Sequence, residues 1–165
     1  MSSNILSPQE ILKIAIEVEE NGKKLYEILE GKAKDEEVKK VWKFLKEQEE
    51  EHRKVFQEML ENVGEYIVYE FSPGEYEAYL KAIASMYIFS PQLIEEKAKT
   101  LFNSDLEAVE FGIYIEKDSI LVYSAFKEYM MTSKQHILEK VIDEEKNHLV
   151  RLVNLKEAIN RSKEF

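Results

Sequence analysis

Glu-x-x-His occurs twice in this chain, as Glu49-Glu50-Glu51-His52 and as Glu145-Lys146-Asn147-His148. Each pair stands about thirty residues after a further glutamate, Glu19 or Glu116, and each of those is followed seven residues later by a tyrosine, Tyr26 or Tyr123. An α-helix advances about 100° per residue, so residues three apart leave it within about 60° of one another, and residues seven apart nearly coincide in direction. Glu49 therefore shares a helix face with His52, Glu145 with His148, Glu19 with Tyr26 and Glu116 with Tyr123. Those faces are otherwise apolar. Leu12, Ala15, Ile16, Gly22 and Leu29 surround Glu19, and Val38, Trp42, Leu45, Phe56 and Leu60 surround Glu49 and His52. Val109, Gly112, Ile120 and Phe126 surround Glu116, and Leu138, Val141, Leu149 and Leu152 surround Glu145 and His148. Four carboxylates and two imidazoles thus point into the core of a helical bundle. An unpaired buried carboxylate costs several kcal/mol even after relaxation, and four in one core need compensation. Two divalent cations bring four positive charges against the four negative ones. The pattern reads as two halves of a two-metal carboxylate centre.

With 29 glutamates in 165 residues, a single Glu-x-x-His word is as well explained by a solvated helix surface. The weight falls on the conjunction, repeated at matching offsets, of core-facing pair, core-facing glutamate and tyrosine. Small residues repeat as well: Ala15 and Gly22 flank Glu19 as Gly112 and Ser119 flank Glu116. Glycine inside a helix costs up to about 1 kcal/mol relative to alanine, so a packing or site requirement explains it best. His136 serves as a control, because Ser133 stands three residues before it and it projects about 180° from Glu145. It reads as a surface residue. Glu17, Glu20, Glu50 and Glu51 point away from the apolar stripes and read as solvent-facing charges. Trp42 reads as core packing, and Tyr26 and Tyr123 either pack or support the site as proton donors. Gln48 and Glu144 each precede a ligand glutamate and project about 100° to its side. They face solvent or packing, or else Glu144 orients His52 and Gln48 orients His148 through the outer imidazole nitrogen.

The punctuation divides the chain into helices at about 8–30, 35–62, 105–131 and 134–162. Ser7-Pro8-Gln9-Glu10 combines a capping box with proline at the first helical position, and Gly31 is expected to close the first helix. Ser104-x-x-Glu107 caps the third and Ser133 is expected to cap the fourth. Short turns join the first pair and the second pair, so each pair forms an antiparallel hairpin. Residues 63–104 are too many for a turn and form a crossover with two short helices, opened by Ser72-Pro73-Gly74-Glu75 and by Ser90-Pro91. Within it, Ala82-Ile83-Ala84-Ser85-Met86-Tyr87-Ile88-Phe89 is apolar enough either to pack on its own bundle or to make a dimer contact.

A chain of 165 residues, 44% hydrophobic and 34% charged with five glycines and three prolines, fits one all-α domain spanning 1–165. Without cysteine, disulfides, thiol catalysis and thiolate-held iron or zinc are excluded, and a cytoplasmic setting is expected. The start, Met-Ser-Ser-Asn-Ile-Leu, has no signal-peptide character, and no apolar run approaches the length of a membrane span. A net charge of −10 argues against nucleic acid as a partner.

At these residues the sequence resembles the rubrerythrin-like branch of the ferritin-like di-iron carboxylate proteins. Ala15-x-x-x-Glu19 with Tyr26 looks like that family's first helix and Glu49-x-x-His52 its second. Ala108 through Tyr123 resembles the third and Glu145-x-x-His148 the fourth. The resemblance implies a ferritin-like four-helix bundle of two antiparallel hairpins with a long helical crossover. It implies Glu19, Glu49, His52, Glu116, Glu145 and His148 as ligands of two iron ions, with manganese or zinc as other occupants. It also implies peroxide or dioxygen as substrate, a separate electron donor and a homodimer. Two features depart from the pattern. These 165 residues contain none of the four cysteines that hold a rubredoxin module's iron, and Ser119 stands where rubrerythrin proper carries a further glutamate, one turn after the third-helix ligand. The ligand switching associated with that glutamate has no group here to perform it.

Three functions compete on this reading. The first is a di-iron oxidase or peroxidase, since carboxylate-rich positions with one imidazole per metal suit iron or manganese better than structural zinc. The second is an iron-binding or sequestering protein with little turnover. The third is a structural bundle whose site is vestigial or holds zinc.

Overall fold

The computed structural model describes residues 7–63, 78, 82, 95–97, 102–128 and 130–163. Four long helices carry the architecture: α1 Pro8–Lys32, α2 Glu36–Asn62, α3 Asp105–Lys127 and α4 Thr132–Ser162. Their starts follow the side-chain chemistry at each N-terminus. The Ser7 hydroxyl accepts from Glu10 N at 3.2 Å, while Ser7 N donates to Glu10 Oε2 at 2.7 Å, closing a capping box ahead of Pro8. Asp35 Oδ1 accepts from Glu37 N and Val38 N at 2.8 and 3.2 Å. The Ser104 hydroxyl accepts from Glu107 N at 3.2 Å.

Three expected helix ends shift. α1 runs through Gly31 to Lys32, and Ala33 ends it with extended backbone while its N–H still reaches Leu29 O at 2.9 Å. Gly31 stays helical because its backbone does not take the left-handed turn that makes glycine a stop signal. α3 ends at Lys127 and not near residue 131, because Glu128 N and Met130 N turn back to Ala125 O and Lys127 O. Met130 then tucks into the core. Ser133 does not cap α4. The helix starts from Met131 without a side-chain cap, and Gln135 Nε2 holds Met130 O at 3.1 Å.

The core falls into two apolar clusters. One joins Leu12, Ala15 and Val18 of α1, Phe56 and Met59 of α2, Val122 and Phe126 of α3, and Leu138 and Val141 of α4. The other joins Leu25 and Leu29, Val38, Trp42 and Leu45, Val109 and Ile115, and Leu152. α1 and α4 run from the first cluster to the second, and α2 and α3 run the other way. Each hairpin is therefore antiparallel, as the short 33–35 and 128–131 links require. α2 ends beside the first cluster and α3 begins beside the second, so those two helix ends stand about a helix length apart, about 40 Å. Of the connection between them, residues 78, 82 and 95–97 are helical. The expected openings at Ser72 and Ser90, and the apolar run after Ala82, lie outside the described residues. The hairpins are tied at one end by Asp105, whose carboxylate accepts Lys34 N and Asp35 N at 3.1 and 3.0 Å. Among the described residues no helix is long and apolar enough to cross a membrane.

Candidate metal centre

Between the two apolar clusters each helix crosses one polar layer, and it crosses it at the doubled motif. Glu19, Glu49, His52, Glu116, Glu145 and His148 are all at most 5% exposed. Donor atoms of Glu19, Glu49, His52 and Glu145 lie within 4.8 Å of one another, as do those of Glu49, Glu116, Glu145 and His148. Glu49 and Glu145 belong to both groups. Glu19 with His52 completes one from the first hairpin, and Glu116 with His148 completes the other from the second. The arrangement is close to two-fold: His52 Nδ1 lies 3.6 Å from Glu19 Oε2, and His148 Nδ1 lies 3.6 Å from Glu116 Oε2. The imidazoles stack with centroids 5.6 Å apart. Glu145 reaches between them, with Oε1 2.9 Å from His52 Nδ1 and Oε2 3.4 Å from His148 Nδ1.

The tyrosines close the layer from opposite hairpins. Tyr26 donates to Glu116 Oε1 and Tyr123 donates to Glu19 Oε1. Both phenols are fully buried. Tyr26 stacks on Trp42 at 5.6 Å and Tyr123 packs on Phe56 at 5.1 Å, so each serves packing as well as a carboxylate. With Oε1 of each terminal carboxylate held by a phenol, Oε2 is the atom left facing inward.

A two-cation occupant can be tested on the atoms themselves. Glu19 Oε2, Glu116 Oε2, both oxygens of Glu145 and the Nδ1 atoms of both histidines are buried without a hydrogen-bond partner. The short His52–Glu145 approach is an attraction of charge and lacks hydrogen-bonding geometry. Buried polar atoms are normally satisfied, and these unsatisfied ones lie close together, where the carboxylates and, once deprotonated, the imidazoles would turn lone pairs to a cation. Glycine supplies the space: a Cβ on Gly22 would land on Glu49 Oε2 and lie 3.2 Å from Glu49 Cδ. Gly112 does a different job, letting the Trp42 ring approach, since a Cβ there would meet Trp42 Cη2 at 2.9 Å. The residues present fit two divalent cations.

Protons perform part of that task in the metal-free chain. Burial pushes the Glu19, Glu49 and Glu116 carboxyls above their usual range, and neighbouring carboxylates push Glu49 and Glu116 well above it. Burial would lower both histidines, but the carboxylates of Glu145 and Glu19 raise His52 to about 11, and those of Glu116 and Glu145 raise His148 to about 9. Glu145 is the exception. Burial would raise it, yet Glu116, His148 and His52 around it hold it below the ordinary carboxylate value. Burial also keeps the Tyr26 phenol protonated far above pH 10.

All six side chains expected as ligands come together here, and His136 is exposed, away from them. Glu144 Oε2 lies 2.8 Å from His52 Nε2, while Gln48 makes no hydrogen bond to His148. Glu17, Glu20 and Glu51 are exposed as expected. Glu50 differs, being half-buried, paired with Lys23 and Arg53 at 3.0 Å each and lowered to about 2 by them. The Asp105 tie between hairpins escapes sequence reasoning, because an aspartate in a helix's first turn already has a sufficient local reason to be there.

Comparison with known proteins agrees with this geometry. A Thermotoga maritima crystal structure, of a protein described as a ferritin-like diiron-carboxylate protein, aligns with 92% of this chain and 95% of its own, at a TM-score of 0.66 and 27% identity. The fold is thus that of the ferritin-like di-iron carboxylate proteins. No curated protein matches the chain. The rubrerythrin family model matches residues 10–156, nearly the whole bundle and all six buried donors. The chain belongs to the rubrerythrin family.

Proposed function

We propose that the chain is a non-haem di-iron oxidoreductase that reduces peroxide or dioxygen, with Glu19, Glu49, His52, Glu116, Glu145 and His148 as the iron ligands. The observation that carries this reading is the set of inward-facing, hydrogen-bond-free oxygen and nitrogen atoms, six of them in one buried layer. Two ferrous ions bound there would supply the two electrons that cleave a peroxide bond. Four carboxylates with one imidazole per position favour iron or manganese over structural zinc. Glu49 and Glu145, common to both groups, would serve both positions. Glu19 and Glu116 each keep one oxygen inward because Tyr123 and Tyr26 hold the other. Those phenols keep a proton at the carboxylates' outer edge, from which it can be shared with the layer as charge there changes. The apolar clusters on either side exclude water and strengthen every charge interaction between them. A separate electron donor, a cytoplasmic setting and a homodimer belong to the same proposal, and they rest on the family and the cysteine-free composition, not on the geometry of the layer.

The test is anaerobic loading with ferrous iron followed by stopped-flow mixing with hydrogen peroxide or dioxygen. About two irons per chain should oxidise together, and repeated turnover is expected when a reductant is supplied. Iron uptake followed by a single slow oxidation and no turnover would replace this reading with iron sequestration. Failure to take up iron would remove both.

A further inference from the structure

The doubled motif is nearly symmetric within the ligand layer, but the surroundings of its two histidines are not. Glu144 precedes Glu145 as Gln48 precedes Glu49, so the two occupy equivalent places in the repeat. Glu144 turns its carboxylate onto the opposite hairpin's histidine, with Oε2 2.8 Å from His52 Nε2. Gln48 is a neutral amide and makes no such bond. Among the described residues none hydrogen-bonds His148 Nε2. The His148 ring instead meets the Phe44 ring edge-on, with centroids 5.9 Å apart at 88°. Phe44 carries the Arg151 guanidinium 4.0 Å from its centroid. One imidazole is therefore backed by an anion. The other meets an aromatic ring that carries a cation, beside a surface recess of about 570 Å³ lined by Phe44, Gln48, Asn147 and Arg151 and, on its wall, by Glu144, whose carboxylate bonds His52 and not His148.

A carboxylate that accepts the outer N–H of an imidazole fixes its tautomer and ring orientation and makes the inner nitrogen a stronger donor; losing such a partner costs about 10–100-fold in metal affinity. A neutral aromatic edge does neither. We infer that the two metal positions are unequal: the one formed by Glu19 and His52 fills first, the one formed by Glu116 and His148 fills second and exchanges more freely, and Glu144 sets the difference as a positioning residue for His52. This rests on the reading that the layer holds two cations and adds an order of filling to it.

Cobalt(II) titration of the chelated full chain, followed by calorimetry and by competition with a chromophoric chelator, tests the inference. The wild type should show two steps separated by at least about tenfold. Glu144→Gln, which keeps the side chain's shape and removes its charge, should weaken the tight step by about 10–100-fold and leave the weak step in place. Gln48→Glu, which installs the missing carboxylate, should tighten the weak step, a gain that no general loosening of the fold could produce. His52→Ala should abolish the tight step and His148→Ala the weak one. Two wild-type steps of equal strength would overturn the inference while leaving the two-metal reading intact. So would Glu144→Gln acting equally on both steps or on neither. A folded chain that takes up no cobalt would overturn both.

Discussion

Removing metal from this chain should leave a protein whose stability falls as pH rises from 5.5 to 8. His52 and His148 are raised to about 11 and about 9, against an unfolded value of about 6.5. A group whose folded pKa lies above its unfolded one binds its proton more tightly when folded. Its contribution is fully present below the unfolded pKa and is lost as pH climbs toward the folded pKa. Over pH 5.5–8 the unfolded imidazole gives up its proton while the folded one keeps it, and the growing difference, at about 1.4 kcal/mol per proton per pH unit, integrates to about 2 kcal/mol each. The raised carboxyls of Glu19, Glu49 and Glu116 act with the same sign, beginning near pH 4.5. Glu145 and Glu50, both lowered, act with the opposite sign, but their stabilisation is lost only below about pH 4.5, outside the window. The two imidazoles alone give a loss of about 4 kcal/mol, a large fraction of the 5–15 kcal/mol that holds an ordinary domain together. For a chain of this size that corresponds to a fall in Tm of about 10 °C. The assay is scanning calorimetry on chelated protein, verified metal-free by elemental analysis, at pH 5.5, 6.5 and 8. Reloading with a divalent cation should flatten the profile, because the cations replace the protons that the metal-free layer must hold. A metal-free Tm that is constant or rises over this range would show that these six groups do not share one buried layer.

Further outcomes follow from single contacts. Glu49→Ala and Glu145→Ala should each reduce metal stoichiometry by more than one ion per chain, measured by elemental analysis, because both residues belong to both donor groups; a folded variant that retains two ions would exclude that sharing. Gly22→Ala gains up to about 1 kcal/mol of helix propensity, but its methyl must displace the buried Glu49 carboxylate even in the metal-free chain, so stability in chemical denaturation should rise by less than that. The same variant should lose metal affinity, since the new methyl occupies the place of the Glu49 carboxylate, and unchanged affinity would mean that Glu49 need not sit there. Tyr26→Phe leaves Glu116 Oε1 buried without its donor and should cost about 1–3 kcal/mol in urea unfolding, a cost that a phenol serving only as packing would not incur.

How far the centre can be read from residues alone depends on whether a feature belongs to one helix or to two. Which side chains enter the core is a one-helix property, and periodicity answers it. Glu19, Glu49, His52, Glu116, Glu145 and His148 fall where the 100° step puts them, and His136 falls outside. Three helix starts are local too: Ser7 and Ser104 announce themselves as caps, and α2 begins at the expected Asp35. The other boundaries are decided by what the chain does beyond the helix. Gly31 marks an end only if its backbone turns left-handed, and Ser133 caps only if the chain enters the helix at that residue. Partnerships are a two-helix property. Tyr26 lies on the same face as Glu19 but about 10 Å along the axis, too far to bond it, and it serves Glu116 of the other hairpin. Likewise Glu49 and Glu145 are indistinguishable from Glu19 and Glu116 as core-facing glutamates. Only the packing of α2 beside α4 makes that pair common to both groups.

The same distinction separates what the repeat conserves within this chain from what it varies. Residues inside the layer are matched, carboxylate for carboxylate and imidazole for imidazole, because any imbalance of charge there is expensive in a low dielectric. One step outside, Glu144 keeps about a third of its side chain in solvent, so its charge carries a far smaller desolvation cost. Gln48 can differ from it without penalty to the fold. A repeat constrained at its centre and free at its rim is where two equivalent positions can acquire different strengths, and the rim residue on the His52 side is the one that carries the charge.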